Sequence, residues 1–438
     1  MAKSYCTRHL RSFGIVLCMH ISMMLWTGLT KALGVMLPTL REQFSADTWI
    51  IGGLIAAVSA TAGFAGPLSG PLDGTFGTRT AVVTSGLLSG VSLILSSFST
   101  HIFHIALILC FLAGPALFIT SILTRAMAGR HFTTGYAMAI GIGSSGHALA
   151  MMIIGPLTQV FLDVYGWRST FQLLGAISLH LWAFAFLLRS PPNPAQARNE
   201  YLPIAFSEER ELSTNELRSL DAEKRSCLRS LKGAIKAVTN QFGCSVCGRA
   251  EFWIAFPVFG CDSFAIDMWL MYFVAYANTK GFSGYEAVTF TLAGGIGNIV
   301  SKIIFGLILD QGLLQLRLSL FVTIIASSLS LLLLPWMNTY WMMMINAFLY
   351  HGLSGIVTTL SDIYTRDLLG AEDLVPAFSW IGVFTAALVL AFGIFPGLMF
   401  DKTGSYDLAF VILGCVASLP LVSLFAEVLL NRRRERSL

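Results

Sequence analysis

Charge is what this chain has least of. Only 12% of its 438 residues are Asp, Glu, Lys or Arg, about half the ~25% of an ordinary soluble domain. So few ionic groups cannot cover a water-exposed surface of this size, and a soluble globular fold is excluded. The 24 acidic and 28 basic residues nearly balance. That removes the cationic footprint of nucleic-acid binding, and no nucleic-acid partner is expected. Signatures of chemistry are missing as well. No P-loop Gly-Lys-Ser/Thr occurs, so ATP-driven action has no support. His20, His147, His180 and His351 are scattered without ligand spacing, and nothing has the pattern of a catalytic triad or a metal hydrolase. Neither an enzyme, a metal nor a cofactor is expected. The eight cysteines lie in apolar runs or basic stretches and imply no disulfide framework. Cys244-Ser-Val-Cys247 has CxxC spacing but no second pair.

What is present is apolar length. Hydrophobic residues make up 55% of the chain, and the mean hydropathy is +0.71. A window of ~20 residues, the length of a helical bilayer crossing, finds twelve segments: 13–37, 48–68, 80–98, 102–123, 136–160 and 171–188, then 252–276, 285–309, 318–337, 340–360, 375–400 and 408–430. They lack the alternation of barrel strands, so they read as helices whose backbones satisfy themselves in lipid. An all-α, multi-pass membrane protein follows. The first apolar run is too long for a signal peptide and reads as a spanning helix.

One long polar stretch divides the chain, giving an N-terminal bundle over 1–188, a central loop over 189–251 and a C-terminal bundle with a basic tail over 252–438. The loop opens with Ser190-Pro191-Pro192-Asn193-Pro194 and mixes charges of both signs. It suits a solvated connector, with a surface helix over 208–236 as an option. Outside that loop, twelve Lys/Arg fall on the side of the N-terminus and four on the other. Positive charge marks the cytoplasm, so both termini are expected there.

The two sets of six carry traces of duplication. Asp163-x-x-Gly166 precedes Phe171-x-x-x-Gly175, and Asp401-x-x-Gly404 precedes Phe410-x-x-x-Gly414. Both follow a helix expected to break at Gly/Pro, at Gly155-Pro156 and at Pro396-Gly397. Gly70-Pro-Leu-Asp73 after the second span is matched by Gly306-Leu-Ile-Leu-Asp310 after the eighth. Parallel six-helix repeats place a binding site at their interface, near the bilayer midplane.

These residues resemble a known family. Gly70-Pro-Leu-Asp73-Gly-Thr-Phe-Gly77-Thr-Arg79 is similar to the loop signature of the major facilitator superfamily. His131-Phe-Thr-Thr-Gly-Tyr-Ala-Met-Ala-Ile-Gly141-Ile-Gly143-Ser-Ser-Gly146, with Gly155-Pro156 and Tyr165-Gly-Trp-Arg-Ser-Thr-Phe171, resembles the fifth-helix region of the monocarboxylate transporters. The likeness spans both halves and is most specific over 125–175. It implies a twelve-helix major facilitator fold of two pseudo-symmetric bundles, with Gly70, Asp73, Gly77, Arg79 and Asp310 as conformational loop residues. It implies a plasma-membrane carrier that moves a small organic anion through the lipid bilayer. Some relatives also need a single-span accessory glycoprotein. Two departures stand out: the acidic entry to the first helix is absent, and Thr133-Thr134-Gly135 replaces Lys-Arg-Arg.

Ionisable residues inside the spans carry the functional expectation, because a charge at bilayer depth costs ~2.5–3.5 kcal/mol on insertion scales. Lys302 lies mid-way along the eighth span, and Asn298, four residues earlier, shares its face. Lys31 lies in the first span. In proton-coupled relatives the positions of Asn298 and Lys302 hold an aspartate and an arginine, and Lys31 matches their first-helix lysine. Lys31, Asn298 and Lys302 are therefore the expected anion-binding residues, with snorkelling to a headgroup as the alternative for either lysine. Asp262, Asp267 and Asp362 are candidates for proton transfer or ion pairing. The carboxylate-to-amide change at Asn298 predicts weak or absent proton coupling. Two competing readings stay open. One is facilitated diffusion of a neutral or zwitterionic solute, such as an aromatic amino acid, a thyroid-hormone-like or a creatine-like compound; the other is a non-transporting receptor or scaffold.

Overall fold

The computed structural model describes residues 2–45, 48–132, 134–186, 188 and 242–437. The surface helix expected over 208–236 lies outside them. Every regular element among the described residues is helical. In the N-terminal half these are α1 (Ala2–Phe44), α2 (Thr48–Phe64), α3 (Ser69–Ser96), α4 (Ile102–Ile108), α5 (Gly114–His131), α6 (Tyr136–Ser144) and α7 (Gly146–Ala185). The C-terminal half holds α8 (Ala250–Thr279), α9 (Gly284–Asp310), α10 (Leu316–Leu333), α11 (Tyr340–Leu369), α12 (Leu374–Phe392), α13 (Phe395–Thr403), α14 (Asp407–Ser418) and α15 (Pro420–Ser437).

Among the described residues ten apolar segments are long enough to cross a membrane, and two of them, Gly53–Ser96 and Tyr136–Ala185, are of double length. Each double segment is interrupted at one glycine with positive φ: Gly77 (φ 77°, ψ 153°) inside α3 and Gly166 (φ 75°, ψ 171°) inside α7. Side chains with a Cβ avoid that conformation, so the two glycines divide ten segments into twelve crossings. An even number returns the chain to its starting side. We call the end of the bundle that carries both termini the terminal end, and the other the far end.

Three boundaries differ from the sequence reading. The fourth crossing does not stop at Leu123; α4, one π-helical turn (109–113) and α5 carry it to His131, so Arg125 is a membrane residue rather than a loop residue. Pro156 does not break its helix, because α7 continues through it. The counterpart break in the C-terminal half does occur, but at Gly393–Ile394, with Pro396 in the first turn of α13. A proline in a first turn needs no donor and is well placed there. The last part of the central segment is ordered: a 3₁₀ turn over Cys244–Gly248 leads into α8.

The start of α9 is fixed by a reciprocal cap. Ser283 Oγ accepts from Glu286 N at 3.3 Å, and Ser283 N donates to the Glu286 carboxylate at 2.8 Å. These bonds hold the exposed Glu286 carboxyl below its usual range. Such a box satisfies two orphan amides and pins the phase of the helix that carries Asn298 and Lys302.

Glycines let the two halves meet. A Cβ on Gly141 of α6 would stand 2.6 Å from the Lys302 carbonyl oxygen of α9. One on Gly306 would meet the Ala137 carbonyl oxygen at 3.0 Å. Without a hydrophobic drive between helices in lipid, close backbone approach at small residues is what holds them together. On the opposite flank Gly63 and Gly66 pack against Gly382 and Ser379 of α12 in the same way.

Candidate functional site

The interface between halves gathers the ionisable residues. Lys302 is almost wholly buried, 2% exposed, and its Nζ donates to the carbonyl oxygen of Ser144, where α6 passes into α7, at 3.1 Å. Lys31, from α1, is half-buried and its Nζ reaches the carbonyl oxygen of Leu270 in α8 at 3.5 Å. One lysine therefore crosses from the C-terminal half and the other from the N-terminal half. Among the described residues neither has a carboxylate within 4.0 Å. Backbone carbonyls offer only partial charge, so both ammonium groups stay incompletely compensated in a medium where that is costly.

Asn298 is buried on the same face of α9. Its Nδ2 donates to the carbonyl oxygen of His351 at 2.9 Å, while its Oδ1 is buried without a partner. His351, from α11, lies edge-on to Trp269 of α8 with ring centroids 4.1 Å apart. Its Nε2, the Trp269 Nε1 and the Tyr350 hydroxyl are also buried and unpartnered. Across the interface, His147 of α7 hydrogen-bonds Thr27 of α1, and His20 Nδ1 meets the Ile142 carbonyl oxygen at 2.9 Å. No group of His, Cys, Asp and Glu among the described residues has metal-site geometry.

The three carboxylates expected inside spans go to different places. Asp262 is buried in α8 and accepts from Thr358 Oγ1 at 3.0 Å. Asp267, a turn and a half further along α8, is half-buried. Neither pairs with a lysine within 4.0 Å. Asp362, fully buried in α11, pairs instead with Arg125 of α5, Nη1 to Oδ1 at 3.3 Å. The Arg125 guanidinium sits between the rings of Phe259 and Phe378, 5.2 Å from each centroid. Sequence reasoning missed this pair, because it counted Arg125 as a loop position. The signal was the unbroken apolar run that surrounds Arg125 on its N-terminal side.

The loop residues divide similarly. Asp73 accepts from Thr78 Oγ1 at 2.5 Å and from Arg130 Nη1 at 2.9 Å, all within the N-terminal half. Gly70 and Gly77 flank it in α3, and Arg79 stacks on Phe186 at 5.5 Å. Asp310 spans the halves: its carboxylate accepts from the Ala137 and Met138 amides at 3.1 and 2.7 Å. Those are first-turn amides of α6, where a negative charge meets the positive end of the helix dipole. Ser69 Oγ and Ser379 Oγ close the other flank at 2.6 Å. The bonds between halves thus cluster toward the terminal end. A separate apolar recess within the N-terminal half, lined by Leu25, Leu29, Ile154, Phe171 and Ser178 among others, contains none of the charges.

Two six-helix halves meeting at a buried, charge-bearing interface have the architecture of a membrane transporter. The Major Facilitator Superfamily family model matches residues 15–337. The chain belongs to that superfamily, and the curated relatives it resembles within it are monocarboxylate transporters. It is 23% identical to monocarboxylate transporter 12 of Mus musculus over 418 residues, covering 92% of this chain and 81% of that protein. Monocarboxylate transporter 2 of Meriones unguiculatus is 24% identical over 421 residues, with the same two coverages. Monocarboxylate transporter 11 of Mus musculus reaches 32% identity, but over 165 residues, 37% of this chain and 36% of that one. Among solved structures, the proton:xylose symporter XylE bound to 6-bromo-6-deoxy-D-glucose superposes with a TM-score of 0.72 over 95% of both chains at 13% identity. That last likeness is one of fold.

Proposed function

We propose that this transporter carries small organic anions, monocarboxylates in the first instance, by alternating access between its two halves. One observation carries the reading: Lys31 and Lys302, one from each half, cross the interface in opposite directions and end on backbone carbonyls rather than carboxylates. A carbonyl is a weak partner that a substrate carboxylate can displace, because charge-assisted hydrogen bonds are roughly twice as strong. Asn298 supplies an amide beside Lys302 for a second hydrogen bond. Lysine grips a carboxylate as a point charge rather than bidentately, which favours release as well as capture.

The carrier resides in the plasma membrane with both termini in the cytoplasm, so the end closed by Arg125–Asp362 and Asp310 faces inward. Asn298 cannot exchange a proton, and transport is then weakly coupled to protons or not at all. A single-span accessory glycoprotein serves surface delivery. The test is radiolabelled lactate uptake in oocytes, with surface expression measured alongside. Saturable uptake that Lys302→Gln lowers by about tenfold or more supports the reading; saturable uptake unchanged in that variant overturns it.

A further inference from the structure

We propose that Asp362 is a shared counter-ion that passes from Arg125 to Lys302 as the terminal end opens, so that the anion-binding lysine also holds the empty, terminally open carrier. This rests on the reading of Lys302 as an anion site and adds to it a role in the unloaded protein.

The geometry of Asp362 is that of a carboxylate half used. Oδ1 receives Arg125 Nη1 at 3.3 Å, whereas Oδ2 is buried without any partner. Arg125 of α5 is its ion-pair partner among the described residues, and Lys302 lies on α9, the helix packed beside its own. Arg366, on its own helix, is taken up by the Tyr136 ring at 4.2 Å. Of these cations, Arg125 belongs to the N-terminal half and Lys302 to the same half as Asp362. Rocking apart at the terminal end withdraws Arg125 from between Phe259 and Phe378 and strands the carboxylate. An unpaired carboxylate in such a place is strongly disfavoured.

The same motion frees Lys302. Its present acceptor, the Ser144 carbonyl, is on the departing half. Asp362 stands on α11, beside the helix that carries Lys302, with one oxygen left to accept. Helices α9 and α11 are laced side by side by Asn298 Nδ2 to His351 O at 2.9 Å and Ser301 Oγ to Gly352 O at 2.7 Å. Asp362 lies nearer the terminal end of α11 than the His351–Gly352 lacing, so the proposed pair asks the Lys302 stem to swing that way. Opening therefore breaks two bonds between halves and allows one new pair within a half. An anion on Lys302 competes with that pair.

The experiment uses the full chain, purified and reconstituted without substrate. Spin-labelled unnatural residues replace Thr75 and Leu313, two exposed positions on opposite halves at the terminal end, and their distance distribution is measured. Arg125→Gln is expected to raise the long-distance, open population at least threefold. Adding Lys302→Gln or Asp362→Asn to Arg125→Gln is expected to reverse most of that rise, because the open state then loses its pair too. Equal populations in Arg125→Gln and in both double variants would overturn the switch. Lactate uptake, measured separately, reports on the anion reading, so either can fail alone. Size-exclusion profiles show that each variant is folded.

Discussion

Lys31 and Lys302 trade places across the interface: each leaves its own half and ends on a main-chain carbonyl of the other, at Leu270 and Ser144 respectively. Two unneutralised ammonium groups brought together from separate repeats are a costly arrangement to retain in a membrane. The cost is consistent with a role for both, and the two roles are separable.

Lys302 is the deeper and more completely buried of the pair. Replacing it by Gln removes a hydrogen bond to a charged group, a contribution of about 1.5–3 kcal/mol. Lactate uptake at matched surface expression is expected to fall by roughly ten- to hundredfold.

Lys31 lies nearer the far end and is only half-buried, so it serves capture more than the deep step. For Lys31→Gln the expected result is a KM raised by about three- to tenfold with the maximal rate little changed. Initial-rate uptake over a range of lactate concentrations reads this directly.

The family resemblance aligns Asn298 with an aspartate of proton-coupled relatives, and an amide has no such proton to exchange. Acidifying the outside by about one unit should change uptake by less than about twofold. A steep rise would assign proton coupling to Asp262 or Asp267.

Gly141 tests the seam between α6 and α9. A valine there would push on the Lys302 carbonyl, which is backbone and cannot turn away. Overpacking of this kind costs about 1–3 kcal/mol, so Gly141→Val should lower the thermal midpoint in detergent and reduce transport. Gly155→Ala, where an added Cβ meets nothing within 4 Å, is the matched control and should leave both unchanged.

Asp310 holds the first turn of α6 through two amides. Loss of a capping carboxylate costs about 0.5–2 kcal/mol. Asp310→Ala should therefore raise cysteine-reagent access at the terminal end by about two- to thirtyfold.

The twelve crossings were legible because each is an apolar run about as long as a bilayer requires, and lipid leaves the backbone no alternative to the helix. Asn298 and Lys302 were legible for the same reason, as polar residues in such a run. Arg125 was not. Hydropathy places a basic residue near a span's end in the headgroup region, and only tertiary packing shows that Phe259, Phe378 and Asp362, from three other helices, form its slot. Pro156 misled for a related reason: a proline whose helix is supported by neighbours need not end it. The unpartnered rims of Trp269, Tyr350 and His351 had no sequence signature, since aromatic residues are abundant in any membrane chain.

Asp73 and Asp310 hold equivalent positions in the two repeats, yet one ties its own half together and the other ties the halves to each other. The flank between α6 and α9 is thereby latched by charge on a helix end. The flank between α3 and α12 is joined by two neutral hydroxyls. A duplicated architecture would open evenly on both sides of its axis. The two sides of one interface are thus held by different chemistry, so symmetry of form here does not carry over to symmetry of contact.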